Sequence, residues 1–220
     1  MCGRFAQFSI KSVIMDEFNI DEADLQFNPS YNISPTQEVV SIIGDDARKL
    51  ILMQWGLIPS WANDPAFGKR MINARAETIT EKPSFKNSFK KYRCLVLADG
   101  FYEWRKQGKK KNPVYIYLKS RKPFGFAGIY NTMESSDGEN ITSCAIITTE
   151  ANSMLKTVHN RMPVIISKED EAIWLNCKDY NSDKLLPMLT YFSSEKMMMH
   201  DVSTIVNSPG NNSEDCIKSI

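Results

Sequence analysis

No run of eighteen apolar residues occurs in the chain, so no membrane-spanning helix is expected. A basic segment leading into an apolar run is also missing, and with it the pattern of a secretory signal. Cys2, Cys94, Cys144, Cys177 and Cys216 are dispersed and odd in number, with no C-x-x-C pair and no cluster with histidine. That excludes the common zinc spacings, and it fits a reduced, cytoplasmic protein better than a disulfide scaffold. Neither a metal nor an organic cofactor is expected. Repeats, low-complexity tracts and long Pro/Gly/Ser linkers are absent as well. With 42% hydrophobic residues among 220, the expectation is one domain over residues 1–220, monomeric, with a substantial core.

What the chain does have is a strong segregation of charge under a net charge of +1. Residues 1–67 hold four Lys/Arg against nine Asp/Glu, residues 68–122 sixteen against four, and residues 123–220 seven against thirteen. A basic middle inside a near-neutral protein suggests a face for a polyanion. Within it, Lys109, Lys110 and Lys111 read as decoration of an exposed turn.

The apolar pattern is mostly that of short strands. Residues 39–43 and 50–55 read as two strands around a turn at Gly44-Asp45-Asp46, and further strands are expected at 94–98, 101–105, 113–118, 125–130, 142–148 and 162–166. Asp99-Gly100 and Gly108–Asn112 read as hairpin turns. Helices are expected at 10–18 with Ser9 as N-cap, at 84–92 after Pro83, at 151–158, and at 168–176 with an acidic first turn. The fold class that follows is α+β: a mostly antiparallel, barrel-like sheet core flanked by short helices. Trp55 reads as core, Trp104 as either core or site, and Met197–His200 as a strand edge.

Four segments place polar chemistry where a plain strand pattern would not. They are Cys2-Gly3-Arg4-Phe5, Asn73-Ala74-Arg75-Ala76-Glu77, Asp99–Trp104 and His159-Asn160-Arg161-Met162-Pro163. If Met1 is removed, Cys2 carries an amine and a thiol on adjacent carbons. An aldehyde condenses with such an amine to an imine, and the thiol closes a thiazolidine ring. Both groups titrate within about two units of neutral pH in their ordinary state. Glu103 lies among aromatics, and the desolvation expected there moves a carboxyl toward the range useful for proton transfer.

These segments stand among ten ordered blocks: MCGRF at 1–5, YNISPTQ at 31–37, WGLIPSW at 55–61, INARAET at 72–78, KPSF at 82–85, ADGFYEW at 98–104, FAGIY at 126–130, ITTEAN at 147–152, HNRMP at 159–163 and VSTIVNSPGNN at 202–212. In them, and along nearly its whole length, the chain resembles the SRAP family of SOS-response-associated peptidases, or abasic-site-processing proteins. One departure is Asn160, where the family often has Asp. The resemblance implies that the protein senses abasic sites in single-stranded DNA and crosslinks to them through Cys2. It implies that Asn73 orients the Cys2 backbone or the sugar, that Glu103 shuttles protons, and that His159 stabilises or protonates the opened sugar's hydroxyl. Arg4, Arg75 and Arg161 stand beside these residues, placed to fork onto phosphates, and Pro35 and Trp61 are candidates to stack on or wedge against bases. Association with the nucleoid follows when DNA is bound. Two other readings compete: a cysteine peptidase, chiefly removing its own Met1, and a non-catalytic module that binds single strands or modified bases.

Overall fold

The computed structural model describes residues 2–21, 23–44, 47–62, 64–134 and 138–220. Met1, expected to be removed, lies outside them, as do Asp45 and Asp46 of the expected turn. In chain order the first strands are β1 (Phe5–Gln7), β2 (Ser30–Ile33), β3 (Glu38–Ile43), β4 (Lys49–Trp55), β5 (Asn73–Arg75) and β6 (Arg93–Ala98). They are followed by β7 (Gly100–Gln107), β8 (Lys110–Leu118), β9 (Phe124–Glu134), β10 (Asn140–Glu150), β11 (Arg161–Pro163) and β12 (Met197–Asp201). The α-helices are short: α1 (Lys11–Phe18), α2 (Lys86–Lys91), α3 (Glu171–Leu175) and α4 (Ser182–Leu185).

Five strands close on themselves in the order β10-β4-β3-β6-β9, because β9 pairs back onto β10. The pairings are antiparallel except at β10–β4, which makes the ring a small mixed barrel. A second, antiparallel sheet runs β12-β8-β7-β1-β2. The α+β, barrel-like expectation therefore holds. β6 shows why such a barrel must be covered on both sides. Its Leu95 and Leu97 join the core shared with α1, α2 and α3, while Cys94, Val96 and Ala98 join the core beneath the second sheet. A strand buried on both faces reads as a continuous apolar run, as RCLVLA does. Between barrel and sheet, Phe5 packs edge-on against Trp55 and Phe126, with ring centroids 5.1 and 5.8 Å apart. Cys2 is wholly buried in this same core.

Asp99-Gly100 is not a hairpin. β6 and β7 belong to different sheets, and the chain crosses from one to the other at this point. The Asp99 carboxylate accepts from the backbone N–H groups of Phe8 and Ser9, at 2.5 and 2.8 Å, and from the Ser9 hydroxyl. Ser9 is thereby diverted from capping α1, whose N-cap is Ile10 without a side-chain bond. Gly100 is needed for closeness: a Cβ there would meet the Tyr115 ring and hydroxyl at 2.4 Å.

The second expected hairpin is real but tighter, with Gly108-Lys109 as its two-residue turn between β7 and β8. Gly108 has φ +61, the left-handed conformation a type II′ turn requires at its first central position. The expected helix at 168–176 shrinks to α3, because the side chains of its first turn are occupied elsewhere. Ser167 donates to Asp170, and the buried Glu171 pairs with Arg48 at 2.6 Å. At its other end, the buried Arg93 guanidinium takes the carbonyls of Trp174 and Asn176. The 151–158 segment forms only a 3-10 turn at Leu155–Thr157, and the strand expected at 162–166 stops at Pro163.

Candidate functional site

The site assembles where the N-terminal segment runs alongside β7. The Tyr102 N–H donates to the Arg4 carbonyl at 2.9 Å, which locks the approach of Cys2 to Glu103. Asn73, at the start of β5, donates from Nδ2 to the Cys2 carbonyl at 2.7 Å. β5 itself is held by parallel pairing to β10, Asn73 opposite Ile146. The Asn73 Oδ1 is buried without a hydrogen-bond partner among the described residues. An orphan acceptor beside Cys2 is placed to receive an N–H or O–H that arrives with substrate.

The electrostatics of the three titratable groups differ. Burial pushes the Cys2 thiol well above its usual range, and the nearby Glu103 carboxylate adds to this. Such a thiol stays protonated at neutral pH and needs a base before it can attack. Glu103 is 4% exposed, and burial pushes its carboxyl up to about 7, so near neutrality it both holds and releases a proton. His159 moves down from its ordinary value through burial, with Lys106 and Arg161 contributing. Its Nδ1 accepts from the Arg161 backbone N–H at 3.0 Å. An imidazole that accepts at Nδ1 carries its proton on Nε2, so neutral His159 presents a donor there. Glu103 and His159 line one cavity of about 530 Å3 together with Trp104, Lys106, Lys111 and Asn207. A roomier groove of about 600 Å3 lies at Asn152, Lys156 and Tyr191. Its lining includes Ser153, Ser193, Ser194, Lys156 and Glu195 but none of Cys2, Asn73, Glu103 and His159.

The family description SOS response associated peptidase (SRAP) matches residues 1–209. The chain belongs to the SRAP family. Among its SRAP relatives, the abasic site processing protein YoqW of Bacillus subtilis is 44% identical, with all of both chains covered. The abasic site processing protein HMCES of Xenopus tropicalis is 34% identical over 89% of this chain and 67% of its own length. A crystal structure of a Bacteroides thetaiotaomicron protein superposes with a TM-score of 0.90 at 28% identity, covering both chains fully.

Several SRAP motifs acquire a structural meaning here. Asn32 of YNISPTQ donates from Nδ2 to the carbonyls of Val206, Ser208 and Asn211, at 3.2, 2.9 and 2.7 Å. It thus ties the second block to VNSPGNN. Arg4 joins that knot, donating to Asn32 Oδ1 and the Val206 carbonyl, each at 2.7 Å. Arg161 is likewise engaged: it forks onto the Glu77 carboxylate at 2.5 and 3.0 Å and bonds the Thr148 carbonyl at 2.6 Å. Arg4 and Arg161, two of the three arginines expected to meet phosphate, are thus engaged within the protein in this structure. Arg75 is exposed.

Pro35 and Trp61 do not line the Glu103–His159 cavity. Pro35 opens a tight turn whose next residue, Thr36, has φ +76, a conformation that a β-branched side chain rarely adopts. The Thr36 N–H bonds the Trp55 carbonyl at 2.8 Å, and the Gln37 side chain accepts from the Ser34 N–H at 2.7 Å. Trp61 is 52% exposed and packs edge-on against Phe67 at 5.1 Å. Its loop is closed by Gly56 against Gly68, where a Cβ on either would lie within 2.5 Å of the other's carbonyl oxygen. Trp55 is core, as expected. Trp104 belongs to the cavity, its indole N–H donating to Asn207 at 2.8 Å. Sequence reasoning missed Lys106, Lys111 and Asn207. The lysines were detectable only through the β7–β8 register, which sets Lys106 opposite Lys111.

Proposed function

We propose that this protein processes abasic sites in single-stranded DNA by forming a covalent thiazolidine with the lesion through Cys2. The observation that carries the reading is the joining of Asn73 to Cys2 and of Cys2 to the field of Glu103, beside a cavity that also holds His159. The relatives' printed names, abasic site processing protein, support it.

The chemistry begins once Met1 is gone and the Cys2 nitrogen is an amine. That nitrogen attacks C1′ of the ring-opened deoxyribose, giving a carbinolamine that loses water to an imine. Glu103, poised near neutrality, removes the thiol proton and delivers a proton to the departing hydroxyl. The sulfur then adds to the imine carbon and the ring closes. The net balance is aldehyde plus aminothiol giving thiazolidine plus one water. His159, donating from Nε2, stabilises the oxygen that develops on the opening sugar ring. Asn73 holds the Cys2 carbonyl and so fixes where the amine and thiol point. Arg75 supplies phosphate contact from the exposed end of β5, while Arg4 and Arg161 hold the site's own elements in place. Pro35 and Trp61 meet the bases.

The peptidase reading reduces to removal of Met1, for which Glu103 beside Cys2 is a suitable base. A DNA-binding module without chemistry leaves the buried Cys2–Asn73–Glu103 arrangement without a purpose. The test is crosslinking of an abasic single strand, read on a denaturing gel. Wild type should give a shifted, heat-stable band, and Cys2→Ala should give none. An equal band from Cys2→Ala would refute the proposal.

A further inference from the structure

Lys106 and Lys111 stand directly opposite each other in the β7–β8 ladder, and both line the cavity that holds Glu103 and His159. Side chains so paired have Cβ atoms about 5 Å apart, and two like charges there repel. Neither lysine forms an ion pair among the described residues. The nearby acid Asp201 is taken at 2.6 Å by Arg105, which points to the other face of β7. The hairpin backbone that carries the pair is held firmly. The hairpin closes in two residues, and Asn112 donates to Gln107 across it at 2.7 Å. Both lysines are exposed, so water and salt screen their repulsion in the empty protein, and an anion lying between them is attracted by both. Glu103 lines the same cavity but forms no ion pair with either lysine among the described residues.

We propose that Lys106 and Lys111 form a clamp for one backbone phosphodiester of the bound strand, gripping it at the Glu103–His159 cavity. This rests on the reading above that the protein takes abasic single strands, and it adds a subsite contributed by the hairpin. It also assigns part of the basic middle of the chain a specific task. Lys111 is thereby separated from Lys109, which sits in the turn, and from Lys110, which alternation turns to the opposite face.

The experiment measures non-covalent affinity of Cys2→Ala protein for an abasic single-stranded oligonucleotide across a salt series. Lys106→Gln with Lys111→Gln should lower the slope of log affinity against log salt by about 0.7, the value for one single-strand phosphate. Affinity near physiological salt should fall roughly tenfold. Melting temperature should stay nearly unchanged, because both side chains are exposed. Lys109→Gln with Lys110→Gln removes the same charge from the same hairpin and should change the slope far less. A Lys106/Lys111 variant with the wild-type slope would overturn the clamp, as would equal losses from the two double variants. If the parent protein does not bind the strand at all, the functional reading fails and the clamp fails with it.

Discussion

Glu103→Gln should make the protein more stable at pH 8 and leave it unchanged at pH 4. The carboxyl is 4% exposed and its pKa rises from 4.5 to about 7 on burial. Between those values the folded protein keeps a proton that the unfolded chain has lost, so stability falls as pH rises through that window and levels off above it. At about 1.4 kcal/mol per unit, the ionised carboxyl costs the fold about 3 kcal/mol at pH 8. Glutamine fills the same volume and never ionises. The difference between variant and wild type should therefore be near zero below pH 4.5, grow up to about pH 7, and then stay constant. In a chain of this size about 3 kcal/mol corresponds to roughly 6–12 °C in Tm. Urea unfolding at four pH values, followed by tryptophan fluorescence, measures it. A difference that does not vary with pH, or a Gln variant less stable at pH 8, would refute the burial argument for Glu103 as the proton shuttle.

The remaining predictions concern other parts of the site. With two histidines in the chain, nitrogen NMR of the His200→Gln protein should show His159 protonated at Nε2 and bare at Nδ1 at pH 7, its titration moved down from the ordinary histidine value by burial; protonation at Nδ1 would disprove the Arg161 contact. Asn73→Ala should slow crosslinking by about 10²-fold through misplacement of Cys2, with non-covalent DNA affinity little changed; an unchanged time course would remove Asn73 from the site. Arg75→Ala should lower the salt slope by about 0.7, whereas Arg161→Ala should instead weaken the hold on Glu77 and destabilise the fold. Gly100→Ala should cost about 1–3 kcal/mol in urea unfolding, because its methyl would overlap Tyr115 and the Ile116 carbonyl; a neutral effect would contradict the sheet-crossing geometry.

The strands were legible because alternation and apolar runs report burial directly: β3, β4, β6, β9 and β10 fall on the expected residues. What failed depended on partners far away in sequence. Asp99-Gly100 has the composition of a hairpin turn, yet its carboxylate is used by Phe8 and Ser9, some ninety residues earlier. The same contact removed Ser9 as a helix cap. α3 is short because Arg48 and Arg93, on other elements, compete for its ends. In the site, motif order nominated residues that the fold brings together, Asn73 with Cys2 and Glu103 with His159, while engagement could not be read. Nothing in the MCGRF or HNRMP blocks says that Arg4 bonds the Val206 carbonyl or that Arg161 pairs with Glu77. Lys106 and Lys111 were hidden for a related reason, since only register converts two scattered lysines into a facing pair.

The central claim is that Cys2 contributes both its amine and its thiol. Intact mass spectrometry of the protein after incubation with an abasic single-stranded oligonucleotide tests it most directly. The predicted species is the chain lacking Met1 plus the oligonucleotide minus one water, stable without reductant, and absent when an extra residue precedes Cys2. An adduct one water short of the sum of its parts, formed on protein that still carries Met1, would contradict the account.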